Sequence, residues 1–229
     1  MKILEKITKI KNNQSKVFNA GKEDEYDAFW DTFQVNGQRR DYRQGIAGSG
    51  WTDVIFNPKY DIIVEGSAQN MFWGSKIIDM VGILERNHVS INTSGATDLS
   101  YAFSCNSAYL PEVSAVSATN LTTLFGYNRS LVSVKKLILK SDGSQTFPSA
   151  FYNCTSLTNI EIEGVIGNNI DFKACPLNKA SFESVINALS GTATDKTVTF
   201  NKTAKEAAFT IDEWSTLTAT KSNWTFSLV

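Results

Sequence analysis

Glu161 and Glu163 are the pair of carboxylates whose spacing comes closest to that of an enzyme active site. They are two residues apart in a run that alternates polar and apolar residues, so a strand places both on one face. A glycosidase needs two carboxylates about 5–10 Å apart in unequal environments. Neighbouring glutamates on one strand are instead typical of the solvated face of a sheet. We therefore predict no catalytic residues, and a glycan-acting enzyme is the least favoured class of function.

The three cysteines, Cys105, Cys154 and Cys175, and the single histidine, His88, are the other candidates for nucleophilic or metal chemistry. They do not have the short spacing that a zinc site uses. An odd number of cysteines does not make a disulfide framework, so we expect reduced, buried thiols. We expect His88 on the surface. The sequence thus predicts no metal site and no cofactor-binding site.

The composition is that of a globular protein without a strong charge. The 229 residues include 22 basic and 23 acidic side chains, a net charge of −1, and 42% of them are apolar. Nucleic-acid-binding proteins usually have a basic excess, so no nucleic-acid partner is expected. The apolar runs are far shorter than the roughly 18 residues of a membrane helix, and MKILEKITKIKNN lacks the apolar core of a signal peptide. We expect a chain made in the cytoplasm, without a membrane partner.

A degenerate repeat begins at residue 71. Four segments each carry a phenylalanine, a short turn, and a leucine or isoleucine that leads into a β-rich run: 71–80, 101–113, 123–134 and 149–164. Their phenylalanines are 31, 22 and 26 residues apart, and Phe172 fits a decayed fifth copy. Periods of about 20–29 residues are typical of leucine-rich repeats, in which each copy buries its apolar face on the next. We predict a buried set of Phe103, Phe125, Phe151, Leu131, Leu157, Ile160 and Ile162, and an inserted helical turn at 81–87.

The best-preserved copy is AFYNCTSLTNIEI at residues 150–162, which has the pattern A-F-x-x-C-x-x-L-x-x-I-x-I. This pattern resembles the BspA-type (Treponema-like) leucine-rich repeat. The segments EYDAFWDTFQ, GWTDVIFNPKYDI and LILKSDGSQTF also resemble repeat proteins encoded by phages and prophages of gut Firmicutes. The resemblance implies a non-enzymatic interaction module, associated with a phage tail or virion, or less readily with a cell surface. Such a module would bind a protein or a cell-surface glycan, whose identity the sequence leaves open.

From the repeat and its resemblance we predict an α+β fold, namely a short leucine-rich-repeat β-solenoid of about four irregular coils with a helical N-terminus and a helix–strand C-terminal cap. The predicted divisions are an N-terminal helical segment (1–45), a segment leading into the repeats (46–70), the repeats (71–175) and the cap (176–229). Within the cap, amphipathic spacing predicts helices at 180–189 and 210–221. Alternating residues predict strands at 196–201 and 223–229.

The N-terminal residues are predicted to be helical. Ile3, Ile7, Ile10 and Val17 follow heptad spacing, and a second amphipathic stretch runs from 23 to 33. Two interpretations stay open: helices that pack on the body of the protein, or a coiled coil through residues 3–17 that makes a homo-oligomer. The coiled coil underlies the alternative function, a structural spacer of a virion that has no ligand of its own.

Two sets of residues are candidate binding surfaces. Alignment of the repeats predicts an outward polar strip across neighbouring strands, made of Ser114, Lys135 and Glu161, in which the last two are close enough to pair. An extra residue near 136–139 is expected to form a bulge that changes this register. The second set consists of tyrosines next to turns, whose rings are good anchors for a partner: Tyr101, Tyr109, Tyr127 and Tyr152. The alternative for these tyrosines is packing between coils, with only the hydroxyl group in water.

Overall fold

The computed structural model describes residues 61–75 and 77–229, and the backbone of three short strands before them. The strands in chain order are β1 (Ser15–Asn19), β2 (Phe33–Val35), β3 (Val54–Phe56), β4 (Asp61–Ser67), β5 (Ile91–Asp98), β6 (Tyr109–Ser114), β7 (Ser133–Ile138), β8 (Asn159–Glu163), β9 (Ile170–Phe172), β10 (Lys196–Phe200) and β11 (Trp224–Leu228). The helices are α1 (Met80–Arg86), α2 (Lys179–Ala188), α3 (Lys202–Ala208) and α4 (Ile211–Ala219). Within the described residues, no helix has the length and hydrophobicity that crossing a membrane requires.

The described strands form four small sheets rather than one. Three of these sheets are parallel and three-stranded, in the orders β1-β4-β5, β6-β7-β8 and β11-β10-β9, and β2 pairs with β3 in antiparallel fashion. The prediction of a β-solenoid is therefore wrong, because no single described sheet runs through all of the repeats: β6, β7 and β8 join three of them, while β4, β5, β9 and β10 belong to other sheets. The described part of the chain has an α+β arrangement of separate sheets and short helices.

Side-chain hydroxyl groups end the sheets where a regular coil would continue them. Between β5 and β6, the Thr93 hydroxyl accepts a hydrogen bond from the N–H of Ser114 and donates one to its carbonyl oxygen, both at 2.9 Å. At the outer edge of β8, Ser181 and Ser184 of α2 accept hydrogen bonds from two backbone N–H groups at 2.8 and 2.7 Å. These hydroxyls stand where a neighbouring strand would place its backbone groups, so the ladder stops and the strand edge is covered.

The prediction of a helical N-terminus is also wrong where the structure describes it. Residues 15–19 form β1, which pairs in parallel with β4 along its whole length, and residues 33–35 form β2. The heptad seam therefore does not continue through Val17, because its backbone lies in a strand ladder and not in a helix. Pairing with a distant segment overrides the local periodicity here. Residues 3–10 and 23–32 of the predicted helices lie outside the described residues.

The repeated segments stack through backbone hydrogen bonds between their turns. The N–H groups of Asn70, Tyr101 and Thr123 each donate to a carbonyl oxygen of the next turn, at 2.9, 3.0 and 2.8 Å. These three residues and Ser149 occupy the same place in successive turns, and all have a positive φ between 54° and 61°. A left-handed residue at one fixed place bends each turn in the same way. Successive turns therefore superpose even though the segments between them differ in length.

A column of phenylalanine rings fills the interior of this stack. Consecutive ring centroids lie 5.4, 6.2, 5.4, 4.4 and 6.0 Å apart along Phe72, Phe103, Phe125, Phe151, Phe172 and Phe200. All six side chains are at most 1% exposed. The predicted core of Phe103, Phe125, Phe151, Leu131, Leu157, Ile160 and Ile162 is buried and is confirmed. Phe172 extends the column, which supports its assignment to a decayed fifth copy.

Polar or thiol side chains three residues after the phenylalanines satisfy carbonyl groups inside the stack. Asn128 donates to the carbonyl of Ser107 at 3.2 Å, Cys154 donates to Phe125 at 3.1 Å, and Cys175 makes the matching contact to the preceding turn at 3.8 Å. The three cysteines are buried free thiols. This confirms the prediction of reduced, buried thiols.

The C-terminal part contains the helices and strands predicted there and one additional helix. The bounds of α2, α4, β10 and β11 lie within two residues of the predicted ones. The additional helix, α3, begins after Asn201, whose side chain accepts a hydrogen bond from the N–H of Ala204 at 2.9 Å. Such N-caps favour a helix start. Helix α1 corresponds to the inserted helical turn predicted at 81–87.

We predict that Phe125→Ala lowers the free energy of unfolding by about 3–5 kcal/mol, because it leaves a cavity in the middle of the ring column. Urea denaturation followed by circular dichroism measures this change. Ile211→Ala is the control, since that side chain is 82% exposed and its removal should change stability by less than about 0.5 kcal/mol. Equal effects of the two substitutions on the free energy of unfolding would contradict the claim that the ring column stabilises the core.

We predict that Gly164→Ala destabilises the protein by about 1–3 kcal/mol or more. Gly164 has a φ of 95°, and a Cβ atom there would lie 2.4 Å from the carbonyl oxygen of Leu139. Gly191→Ala is the matched control, because a Cβ atom at Gly191 meets nothing within 4 Å. Thermal unfolding of both variants checks this, and a Gly164→Ala variant as stable as the control would refute the close approach.

Candidate functional site

The structure does not arrange Ser114, Lys135 and Glu161 as a straight strip. Ser114 lies opposite Ile138 of β7 and not beside Lys135. The pairing of β7 with β8 is irregular between residues 134 and 137, where β7 has one more residue than β8. This irregularity is the predicted bulge, located at Lys135 and Lys136. Because of it, the three residues do not follow one row across the sheet.

The predicted pairing of Lys135 with Glu161 is wrong, and the partner of Glu161 is Lys136. The ammonium group of Lys136 lies 2.9 Å from Glu161 and 3.1 Å from Glu163. The hydrogen bonds to Glu161 and then to Glu163 raise the pKa of Lys136 to about 12. Both carboxylates are exposed and are held by one cation, so the cluster is a solvent-screened ion-pair network on the sheet surface.

Ser114 and Lys135 meet instead in a groove between α1, β5 and β6. The groove has a volume of about 530 Å³ and is also lined by Leu84, Glu85, Thr93, Pro111 and Glu112. It combines an apolar wall from α1 with polar groups of both signs. No sequence spacing points to this groove, because elements from three separate parts of the chain form it.

The turns expose large aromatic side chains. Tyr127, Tyr152 and Trp73 are 57%, 47% and 43% exposed, and Tyr101 is partly buried. The rings of Tyr127 and Tyr152 meet edge to face with centroids 5.2 Å apart, and those of Trp73 and Tyr101 do so at 6.1 Å. The alternative of packing between coils, with only the hydroxyl group in water, is therefore wrong for Tyr127 and Tyr152, because about half of each side chain is exposed to solvent. We call these four residues the aromatic turn face.

The stacking of the turns determines which aromatic residues share this face. Trp73 and Tyr152 directly follow phenylalanines of the ring column, so they have the same place in two different turns. Between them in this row are Ser104 and Gly126, both buried. The N–H of Tyr127 donates to the carbonyl of Tyr152 at 2.7 Å, which sets these two residues side by side. Tyr109, by contrast, is 48% exposed and is the first residue of strand β6.

Arg129 and Asn153 lie next to the tyrosine pair. With its amide oriented so that the oxygen faces the guanidinium, Asn153 accepts hydrogen bonds from Nε and Nη2 of Arg129 at 3.0 and 3.1 Å. The backbone N–H of Arg129 donates to the carbonyl of Tyr127 at 3.1 Å. Sequence reasoning missed Trp73, Arg129 and Asn153. An aromatic residue directly after two of the repeat phenylalanines was the available signal for Trp73, whereas none marked the arginine–asparagine pair.

The three cysteines lie in surroundings that do not activate them as nucleophiles. Burial raises the pKa of Cys105 and Cys154 to about 12 and that of Cys175 well above its usual value. All three are therefore protonated thiols at neutral pH and not thiolate nucleophiles. His88 is exposed, as predicted. Within residues 61–75 and 77–229, no three His, Cys, Asp or Glu side chains are grouped so that they can hold a metal ion.

Comparison of the chain with protein families, with characterised proteins and with solved structures found no match. The function is therefore inferred from the surfaces described above.

We predict that the double substitution Glu161→Gln and Glu163→Gln lowers the pKa of Lys136 from about 12 towards 10.5, because it removes both carboxylate partners. Titration by NMR of the Lys136 side chain measures this. A raised lysine pKa means that the stabilisation by this cluster is present below about pH 10.5 and is lost as the pH rises through about 12. Glu112→Gln is the control, since Glu112 is the backbone partner of Lys136 in β6 but forms no ion pair with it. A pKa insensitive to the double substitution would contradict the cluster.

Proposed function

We propose that this protein is a non-enzymatic binding module whose contact surface is the aromatic turn face. The observation that carries the proposal is the exposure of the paired rings of Tyr127 and Tyr152, 57% and 47%, on turns held in register by backbone hydrogen bonds. Because both rings are about half exposed to solvent, packing in the core does not account for them. Contiguous exposed apolar surface of this kind is typical of interaction sites.

The backbone hydrogen bonds that hold the turns in register favour binding. A partner that contacts a preorganised surface does not have to immobilise loops or long side chains, which lowers the entropic cost of association. Tyrosine adds to this advantage because it offers a large amphipathic surface with few rotatable bonds. The backbone N–H groups of Tyr127 and Tyr152 both have acceptors within the stack, so these residues present side chains to a partner.

The partner is a protein or a cell-surface glycan. The resemblance of residues 150–162 to BspA-type repeats, and of further segments to phage-encoded repeat proteins of gut Firmicutes, supports a module that attaches a virion, or less readily a cell, to a surface. The alternative of a structural spacer joined by a coiled coil at residues 3–17 has less support. Residues 15–19 are a strand paired with β4 of the same chain.

The strip of Ser114, Lys135 and Glu161 is less suited to be the contact surface than the aromatic turn face. Its members are not in one row, and Glu161 is engaged by Lys136. Ser114 and Lys135 still share a groove, so replacing both with Ala tests whether that side of the sheet contributes to binding.

We predict that the double substitution Tyr127→Ala and Tyr152→Ala weakens binding by about tenfold or more, as expected when two aromatic anchors of an interface are removed. The probes are intact cells of a panel of gut Firmicutes and an array of immobilised glycans, each incubated with fluorescently labelled protein. Tyr109→Ala is the matched control, because it removes a ring of similar exposure, 48%, outside the aromatic turn face.

Both variants should unfold at the same denaturant concentration to within the effect of a surface substitution, about 0.5 kcal/mol each. Wild-type protein that binds neither cells nor glycans would refute the proposed function. Binding that survives in the double variant would move the contact surface away from the aromatic turn face.

A further inference from the structure

The guanidinium group of Arg129 is held in place without being neutralised. Its two hydrogen bonds, at 3.0 and 3.1 Å, go to the amide oxygen of Asn153, which is a neutral acceptor. Arg129 is exposed, and no carboxylate of the described residues pairs with it. The lysines at positions 136, 173 and 179, by contrast, each have a carboxylate partner. Arg129 therefore keeps its full positive charge and the three N–H donors that Asn153 does not use, out of five in the guanidinium, for a ligand.

The positioning of Arg129 is stricter than that of an ordinary surface arginine. Two N–H groups of the guanidinium converge on the one amide oxygen of Asn153, which restricts its orientation and leaves the Nη1–Nη2 edge for the paired oxygens of a carboxylate, phosphate or sulfate group. Asn153 is itself held on a turn with a φ of 62°, directly after Tyr152. The charge is thus anchored to the same turn that carries one of the exposed rings.

The tyrosine pair next to Arg129 offers a complementary apolar surface. Tyr127 and Tyr152 meet edge to face at 5.2 Å, so at least one ring face is turned away from the other ring. Aromatic faces pack against the apolar side of a flat ligand, while the polar groups at the rim fix its orientation. A ligand suited to this site has an apolar ring face and an anionic substituent a few ångströms away.

We propose that Arg129, Asn153, Tyr127 and Tyr152 form a subsite for an acidic sugar, with its anionic group on Arg129 and its ring on a tyrosine. The proposal rests on the proposed function and specifies its ligand as an anionic glycan. An acidic peptide fits less well, because extended peptides usually add backbone hydrogen bonds to a strand edge. Here the backbone N–H groups of Tyr127, Arg129 and Tyr152 are already bonded within the stack.

Calorimetric titration of the whole protein with defined oligosaccharides tests the subsite. The probes are a trimer of galacturonic acid, the galactose trimer as its neutral counterpart, a sulfated galactose oligomer, and a tetraglutamate peptide. We expect a carboxylated or sulfated sugar to bind at least about tenfold more tightly than the neutral one, the size of effect that one charge-assisted contact gives. Comparison of the uronate and sulfate probes identifies which anionic group is preferred.

The variants separate charge recognition from ring contact. Arg129→Gln removes the cation, and Asn153→Asp supplies an internal carboxylate that neutralises it while tolerating the left-handed backbone. Both should abolish the preference for the acidic over the neutral sugar, because they lower the affinity for the acidic sugar more than that for the neutral one. Tyr152→Ala should weaken the binding of both sugars, and Tyr109→Ala should weaken neither. Circular dichroism and unfolding of each variant verify that the fold is retained.

Each outcome bears on the proposal. Equal affinity for acidic and neutral sugars, or acid preference that survives Arg129→Gln, would overturn the subsite. Tetraglutamate that binds as tightly as the acidic sugar through Arg129 would overturn the glycan class in favour of an acidic protein. If no sugar binds but cell binding still depends on Tyr127 and Tyr152, the acidic subsite is wrong while the proposed function stands. If cell binding is lost as well, both fail.

Discussion

The backbone hydrogen bonds that join one turn to the next are the interaction on which the rest of the structure depends. Asn70, Tyr101, Thr123 and Ser149 hold the same place in successive turns with φ between 54° and 61°, and the first three of them donate such a bond. Once these bonds superpose the turns, the phenylalanine two residues later always falls in the interior. The residue after that forms a row of its own, with the exposed rings of Trp73 and Tyr152 at its ends and the buried Ser104 and Gly126 between them. The ring column and the aromatic turn face are therefore two consequences of one ladder, because a fixed turn geometry fixes the direction of every side chain that it carries.

Hydroxyl side chains give the chain its division into separate sheets. Parallel strands stacked on a regular repeat tend to form one long sheet, whose end is an open edge that can pair with other chains. Thr93 interrupts the ladder between β5 and β6, while Ser181 and Ser184 occupy the edge of β8 from helix α2. The N–H groups of Ser114, Ile160 and Ile162 therefore keep a hydrogen-bond partner although no strand follows. The groove between α1, β5 and β6 is a consequence of the first interruption.

The two cationic sites of the surface illustrate how the immediate partner decides what a charge can do. Lys136 lies between Glu161 and Glu163, which satisfy it and raise its pKa to about 12. Arg129 has an amide as its partner, which orients it and leaves its charge uncompensated. A charge satisfied by its own protein contributes to surface character, whereas an oriented, uncompensated charge next to exposed rings is equipped for recognition of a ligand. The cysteines are neither charged nor available to a ligand, because burial keeps their thiols protonated and packed against carbonyl groups of the stack.

The sequence by itself determined the features that depend on local pattern and on repetition. The spacing of Phe103, Phe125 and Phe151 was enough to identify them as core, the odd number of cysteines predicted reduced, buried thiols, and amphipathic periodicity located α2 and α4. Only the tertiary structure decided where the ladders stop and that residues 15–19 pair as a strand with β4. It also decided the side-chain partners: Glu161 binds Lys136 and not Lys135, and Arg129 binds Asn153. Each of these depends on which atoms face one another across twenty or more residues of chain, and a one-residue bulge or a single hydroxyl is enough to change that pairing. The periodicity of a segment does not depend on which distant segment it pairs with. The repeats could therefore be identified from the sequence, whereas their assembly into four sheets could not.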